Sequence, residues 1–223
     1  MRRFVTTAVI LSLVLTADVA AARAQVSPAG AKPMDAAGLG TGPYARMSTL
    51  LEKTIFKVDV LRLEVSFSEG DAARIASLAR SRRYSTALAD SIAAVAIGAG
   101  DVYVRLRFVR SVSLDQFVAG VREDLRRTPV AGIISWADYE RISDNLPVWF
   151  SFLAERRILD GDELHYWIHG DTLHTQYRSV DGEILLDQVD VDPSAPRSVL
   201  GAYFVRGSSF REGLIRSLFR AAG

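Results

Sequence analysis

The sequence contains no cysteine. That absence excludes disulfides, thiolate chemistry, cysteine-ligated metal and lipid attachment at a lipobox cysteine. Histidine is scarce: the three present are His165, His169 and His174, all in one short stretch. No Gly-x-Ser-x-Gly elbow, phosphate loop or dinucleotide fingerprint occurs. Neither sign of charge is in excess, with 27 Lys and Arg against 26 Asp and Glu. Nucleic-acid binding would need a basic stripe, and an anionic membrane surface would need a polybasic patch. No apolar run reaches the ~20 residues of a membrane span. No internal repeat is present.

What is present begins with an export signal. Met1, Arg2 and Arg3 form a positive start, and an apolar run follows from Phe4 to about Leu15. Ala22-Arg23-Ala24 then offers a small-x-small cleavage site. Residues 1–24 are therefore expected to be a signal peptide, leaving Gln25 as the new amino terminus and a periplasmic or secreted product. The competing expectation is a retained signal anchor. Arg2, Arg3, Arg23 and Asp18 leave with the signal, so the remaining chain is close to neutral. Residues 25–43 are rich in Ala, Gly and Pro and read as a flexible leader. One domain, 44–223, fits the remaining length. A domain of this size can bury enough apolar surface without covalent staples.

Within that domain the first element is a strand over Thr54–Phe67. Its apolar residues change face partway, which predicts a bulge or a long twisted strand. A helix near Asp71–Arg80 starts at Ser68-Glu69. An Ala-rich helix follows over Ser85–Ile97, with Leu88, Ile92 and Val95 at helical spacing. Asp101–Arg110 alternates as a half-buried strand, Val102, Val104, Leu106 and Phe108 inward. Ser113-Leu114-Asp115-Gln116 is a capping box for a helix burying Leu114, Phe117, Val118, Val121 and Leu125. Ser135 starts another helix with Trp136, Tyr139 and Ile142 inward, and Pro147 is expected to break or restart it. A hairpin turns at Gly170-Asp171 and pairs Leu164, Tyr166 and Ile168 with Tyr177, Thr175 and Leu173. Asp181-Gly182 leads into a last strand over Glu183–Val191. Helices close the chain at Ser198–Phe204 and Phe210–Phe219, the latter behind a capping box at Ser209 and burying Phe210, Leu214, Ile215 and Leu218. The fold class is α+β, a mainly antiparallel sheet with a layer of helices on one face.

Four segments in this order resemble the chalcone isomerase-like family, and its exported bacterial branch in particular. They are the strand Phe56–Leu63, the strand-to-helix passage Val102–Asp124, Leu159-Asp160-Gly161-Asp162 before a hairpin, and Val199–Phe204 before Ser208 and a final helix. The resemblance implies an open-faced sandwich with a lipophilic ligand in the cleft between sheet and helices. In that family true isomerases close a chalcone to a flavanone, and a sister group binds fatty acids through an Arg and a Tyr. The family's catalytic Tyr falls on Phe117 and its Asn on Asp124. A later polar position falls on Ala202, with Tyr203 beside it, and the strand Thr falls on Phe56 or Lys57. Arg46 is the nearest counterpart of the Arg. A phenyl ring cannot organise a water or a donor toward a developing enolate oxygen as a phenol can, so the resemblance carries the fold further than the activity.

The ligand-binding set expected on this basis is Phe56, Lys57, Phe117, Asp124, Ala202 and Tyr203. No residue is assigned as catalytic. Lys57 with Asp59 could anchor an anionic head group, or both could be solvated at the bulge. Asp124, seven residues from Phe117 on one helix side, could serve as a base or pair with Arg126 or Arg127. His165, Trp167, His169 and His174 fall on the outer sheet face, where His169 and His174 are the one pair close enough to share a metal; no metal or other cofactor is expected. Asp187, Asp190 and Asp192 suggest a solvated loop rather than a calcium loop. Three functions stay open: a binding module for a fatty acid or similar lipophile, an isomerase or intramolecular lyase with a rewired site, and an envelope interaction protein whose cleft is filled.

Overall fold

A computed structural model describes residues 38–53 and 58–221. The expected signal peptide, most of the leader, and the expected site residues Phe56 and Lys57 lie outside the described residues. The folded chain reaches back into the stretch expected as leader. Leu39 bridges Ser68, and the Gly40 amide donates to the Phe67 carbonyl at 2.8 Å. A Cβ at Gly40 would sit 3.1 Å from the backbone of Glu69. A small residue here marks close packing, which composition alone does not distinguish from a linker.

A strand that was not expected precedes the one over Thr54–Phe67. β1 (Arg46–Lys53) pairs antiparallel with β2 (Val58–Phe67). Leu51 pairs with Leu61, but Glu52 pairs with Asp59, so Val60 is the extra residue of a bulge. This is the expected change of face. It places Val60 and Leu61, adjacent in sequence, against the same interior space.

Helices α1 (Glu69–Ala79) and α2 (Thr86–Ile97) start at the caps Ser68 and Ser85, each of whose hydroxyls accepts a backbone N–H of the first turn. β3 (Asp101–Phe108) alternates as its sequence predicts, with Val102, Val104, Leu106 and Phe108 buried. α3 (Leu114–Leu125) carries the full capping box of Ser113 and Gln116. The short α4 (Arg127–Val130) leads to α5 (Trp136–Trp149), capped by Ser135 and Asp138.

Two expectations for α5 are corrected. Trp136 is 52% exposed and packs edge-on against Tyr139 rather than entering the core. Pro147 neither breaks nor restarts the helix, which continues to Trp149. A proline at 147 removes the N–H that would have bonded the Ser143 carbonyl. The Arg122 guanidinium of α3 donates to that carbonyl instead, from Nη2 at 2.8 Å and Nε at 3.2 Å. A long-range donor thus replaces the missing helical one.

After α6 (Leu153–Arg156), β4 (Glu163–His169) and β5 (Thr172–Arg178) form the hairpin in the register that alternation predicts, Leu164 with Tyr177, Tyr166 with Thr175 and Ile168 with Leu173. Gly170 takes φ +56° in its turn, a left-handed conformation that suits glycine. β6 (Ile184–Val191) completes a six-stranded antiparallel sheet in sequential order. α7 (Ser194–Phe204) is buried almost all round and packs on α2, α3, α4 and β5. Its Gly201 lets Thr128 of α4 come close; a Cβ there would lie 2.9 Å from the Thr128 methyl. α8 (Arg211–Ala221) buries Leu214, Ile215 and Leu218. It covers β1, and the Ser217 hydroxyl accepts the edge-strand amide of Ser48 at 3.0 Å. Among the described residues no helix is long and apolar enough to cross a membrane.

Candidate functional site

The sheet's inner face and the helices do not close completely on each other. A cavity of about 370 Å³ remains between them, inside the ~300–1,000 Å³ range of small-molecule sites. Its floor is Leu106 and Phe108 of β3, Leu164 and Tyr166 of β4, and Leu173 and Thr175 of β5. Its roof is Phe117 and Val121 of α3, Leu146 and Trp149 of α5 with Phe150 just after it, and Val199, Ala202 and Tyr203 of α7. One end is closed by Leu51, Val60 and Leu61; the other meets Gln188, Asp190 and Asp192 at β6, with Arg141 above.

Alternation explains why those floor residues share a face. Tyr166, Thr175 and Gln188 are cross-strand partners on β4, β5 and β6, so they form a polar row across an otherwise apolar floor. Leu173 and Asp190 are partners in the next row. The helical roof follows from spacing: Phe117, Val121 and Asp124 recur on one side of α3.

Four of the sequence-predicted site residues are described, and all four line this one cavity: Phe117, Asp124, Ala202 and Tyr203. Phe117 packs edge-on against Phe150, ring centroids 5.0 Å apart, and against Phe108 at 6.0 Å. It is a wall without a polar atom. Asp124 is buried and already engaged. Its Oδ1 accepts from Arg127 Nη1 at 3.0 Å and from the Ser209 amide at 3.3 Å, and its Oδ2 accepts from the Ser209 hydroxyl at 2.8 Å. The expected pairing with Arg127 occurs, but in the interior rather than on the surface. Asp124 ties α3 to the turn between α7 and α8. Arg46, the nearest counterpart of the family's Arg, is exposed on β1 and does not line the cavity.

Tyr166 of β4 and Tyr203 of α7 both line the cavity. Burial pushes both phenols above their ordinary pKa, and Tyr166 and Asp124 add to the rise at Tyr203. Both therefore stay neutral at physiological pH. They supply hydrogen bonds without charge.

Several lining residues were not in the sequence-predicted set. Tyr166, Thr175 and Gln188 left a detectable signal: polar residues at inward positions of alternating strands. Asp190 and Asp192 were expected in a solvated loop, but Asp187 and Asp190 belong to β6 and their side chains part company. Asp190 accepts from the Gln188 amide at 2.9 and 3.1 Å. Asp187 pairs with His174. Asp192 Oδ1 accepts the Ser194 amide at 2.8 Å at the start of α7, and its Oδ2 accepts from Arg141 at 2.7 Å. The Ser194 amide first, then the Ser194 hydroxyl and Arg141, hold the Asp192 carboxyl below its usual range.

The outer sheet face gathers the remaining candidates. Tyr103, His165, Trp167 and His174 stack in series at 5.1–5.9 Å between centroids. The Tyr103 hydroxyl and His165 Nδ1 share a 2.7 Å hydrogen bond. Burial holds the His165 imidazole below its ordinary pKa, against the attraction of Glu163. His169 pairs with Asp101 rather than with His174. Among the described residues no three ligating groups converge on a metal position.

No protein-family model matches the chain. No curated protein matches it. Among solved structures it is similar to an Arabidopsis thaliana fatty-acid binding protein, with a TM-score of 0.55 and 14% identity, covering 80% of this chain and 89% of that one. At that identity the likeness is one of fold. An antiparallel six-stranded sheet in sequential order, with its helices over a cavity on one face, is the chalcone isomerase-like fold, and this chain adopts it.

Proposed function

We propose that this protein binds a small lipophilic molecule in the cavity between sheet and helices, without catalysing its conversion. The observation that carries the reading is the cavity itself, about 370 Å³ and apolar over most of its wall. A cleft filled by its own side chains would have favoured an interaction protein; here the space is open. The family's catalytic phenol position holds Phe117, and the Asp124 oxygens are committed to Arg127 and Ser209. Both features support binding over chemistry. The fold shared with a fatty-acid binding protein supports a lipophile as the ligand class.

The same reading makes the protein an exported one, supported by the positive start, the apolar run and the Ala22-Arg23-Ala24 site. Amino-terminal sequencing of the protein from its native envelope or medium should begin at Gln25; a retained Met1 would sink export by cleavage.

The binding test is native mass spectrometry of the purified protein, then denaturing extraction. A co-purifying lipid or aromatic molecule in stoichiometric amount is expected. Ala202→Phe, which fills the cavity from α7, should lose it while melting as a folded protein. An unliganded mass, with no thermal shift from alkyl-chain or aromatic lipophiles, would overturn the reading.

A further inference from the structure

The cavity has one polar end, and its charge points to the head group. That end is formed by Gln188, Asp190 and Asp192 of the last strand and its exit, with Arg141 of α5 above them. Among the described residues Arg141 is the single cation lining the cavity. Its Nη2 donates to Asp138 at 3.0 Å, to Asp192 at 2.7 Å and to the Ser194 hydroxyl at 2.8 Å. Two carboxylates thus already balance it. Asp124, deeper in, is balanced by Arg127. Asp190 differs. It is half-buried, faces the interior from β6, and its partner is the neutral amide of Gln188. No ion pair joins it to a cation among the described residues.

A carboxylate head seated there would meet Asp190 and Asp192 with no uncommitted cation among the described lining residues to receive it. Like charges at contact range in a partly desolvated site repel strongly. A head that donates hydrogen bonds meets the opposite situation. Asp190 has lone pairs beyond the two Gln188 contacts, and the polar row of Gln188, Thr175 and Tyr166 runs inward in the row beside it. We infer that the cavity takes an amphiphile whose polar head is cationic or a neutral hydrogen-bond donor, a long-chain amine above all, seated against Asp190 with its chain running toward Phe117 and Leu61. This rests on the binding function proposed above and narrows its ligand class away from free carboxylates.

The test is a titration of the full chain with dodecylamine, dodecanol and dodecanoate, matched in chain length, by native mass spectrometry at fixed low salt. Wild type should bind the amine at least about tenfold more tightly than the carboxylate, with the alcohol between. Asp190→Asn should bring the amine to about the level of the alcohol and weaken the alcohol far less than the amine. A carboxylate bound as tightly as the amine overturns the head-group inference and leaves cavity binding standing. An amine preference that survives Asp190→Asn also overturns it, since the charge then resides elsewhere. If none of the three binds, or if Ala202→Phe binds all three as well as wild type, the cavity reading fails and this inference fails with it.

Discussion

Asp162 has no accessible surface, yet its carboxylate is fully served. Arg156 donates to both oxygens at 2.6 and 2.8 Å, Leu159 and Val180 supply backbone amides at 2.8 and 2.9 Å, and the Tyr177 hydroxyl adds a bond at 2.7 Å. Burial raises its pKa, but Arg156 and the other donors outweigh that and hold it below the ordinary carboxylate value. Removing one partner of a buried pair leaves the other charge uncompensated. Asp162→Ala should therefore cost about 3–5 kcal/mol in chemical denaturation; a loss under about 1 kcal/mol would mean the hub is not structural. The sign with pH follows. A folded-state pKa below the unfolded value of about 3.9 gives stability that is complete above that value. It is lost as pH falls through the folded pKa, so wild type should lose stability below about pH 4 more steeply than Asp162→Asn. Leu159–Asp162 was visible in the sequence as a conspicuous segment, but its donors come from α6, β5 and the turn after β5, which no local pattern connects.

At the scale of elements, two close fits decide how helices sit. Pro147 and Arg122 are coupled through the Ser143 carbonyl. Arg122→Met should destabilise by about 1.5–3 kcal/mol, the range for a charged hydrogen bond to a buried acceptor. In a Pro147→Ala background the helix regains its own donor, and the same change should cost clearly less. Equal costs in the two backgrounds would show no coupling in the double-mutant cycle. Gly213 of α8 is the second fit. A Cβ there would collide with the Thr49 hydroxyl and lie 2.8 Å from Thr49 Cβ. Gly213→Ala should destabilise by about 1–3 kcal/mol through overpacking, despite alanine's better helix propensity, and Thr49→Gly should recover part of the loss. A stabilised Gly213→Ala would show that α8 can shift away from β1. Caps, strand alternation and the hairpin register were legible because each depends on neighbours close in sequence. β1, the continuity of α5 and the outward turn of Trp136 were not, because each depends on what packs opposite.

For the molecule as a whole, the cavity links stability to occupancy. A ligand that binds the folded state alone stabilises it by mass action, about 2.7 kcal/mol at a free concentration one hundred times Kd. The wild-type melting temperature should rise with ligand concentration, and that of Ala202→Phe should not. A rise in both would place binding outside the cavity. The two sheet faces play different roles in this frame. The inner face is split between a packed core under α1, α2, α7 and α8 and an open cavity under α3, α5 and α7. The outer face carries the Tyr103–His174 aromatic series and its flanking ion pairs.

Period-two alternation in Asp101–Phe108 and in the Leu164–Tyr177 hairpin, Ser caps before apolar helical stripes, and a mainly antiparallel sheet were determined by the sequence alone. Each is a local rule, and together they fix an α+β sandwich with its helices on one side. That Phe117 and Asp124 would share a side of one helix was foreshadowed by helical spacing, and the family resemblance added Ala202 and Tyr203 to the same site. Whether that space would be filled was decided only in three dimensions. It depends on how far Phe117, Trp149 and Tyr203 reach toward the floor once Gly201 lets α7 settle on Thr128, and on a bulge at Val60 that turns two adjacent residues inward. The charge at the cavity's far end was decided there too. Asp190 and Asp192 are near neighbours in sequence, but only the fold gives Arg141 to one and leaves the other facing the cavity beside a neutral amide.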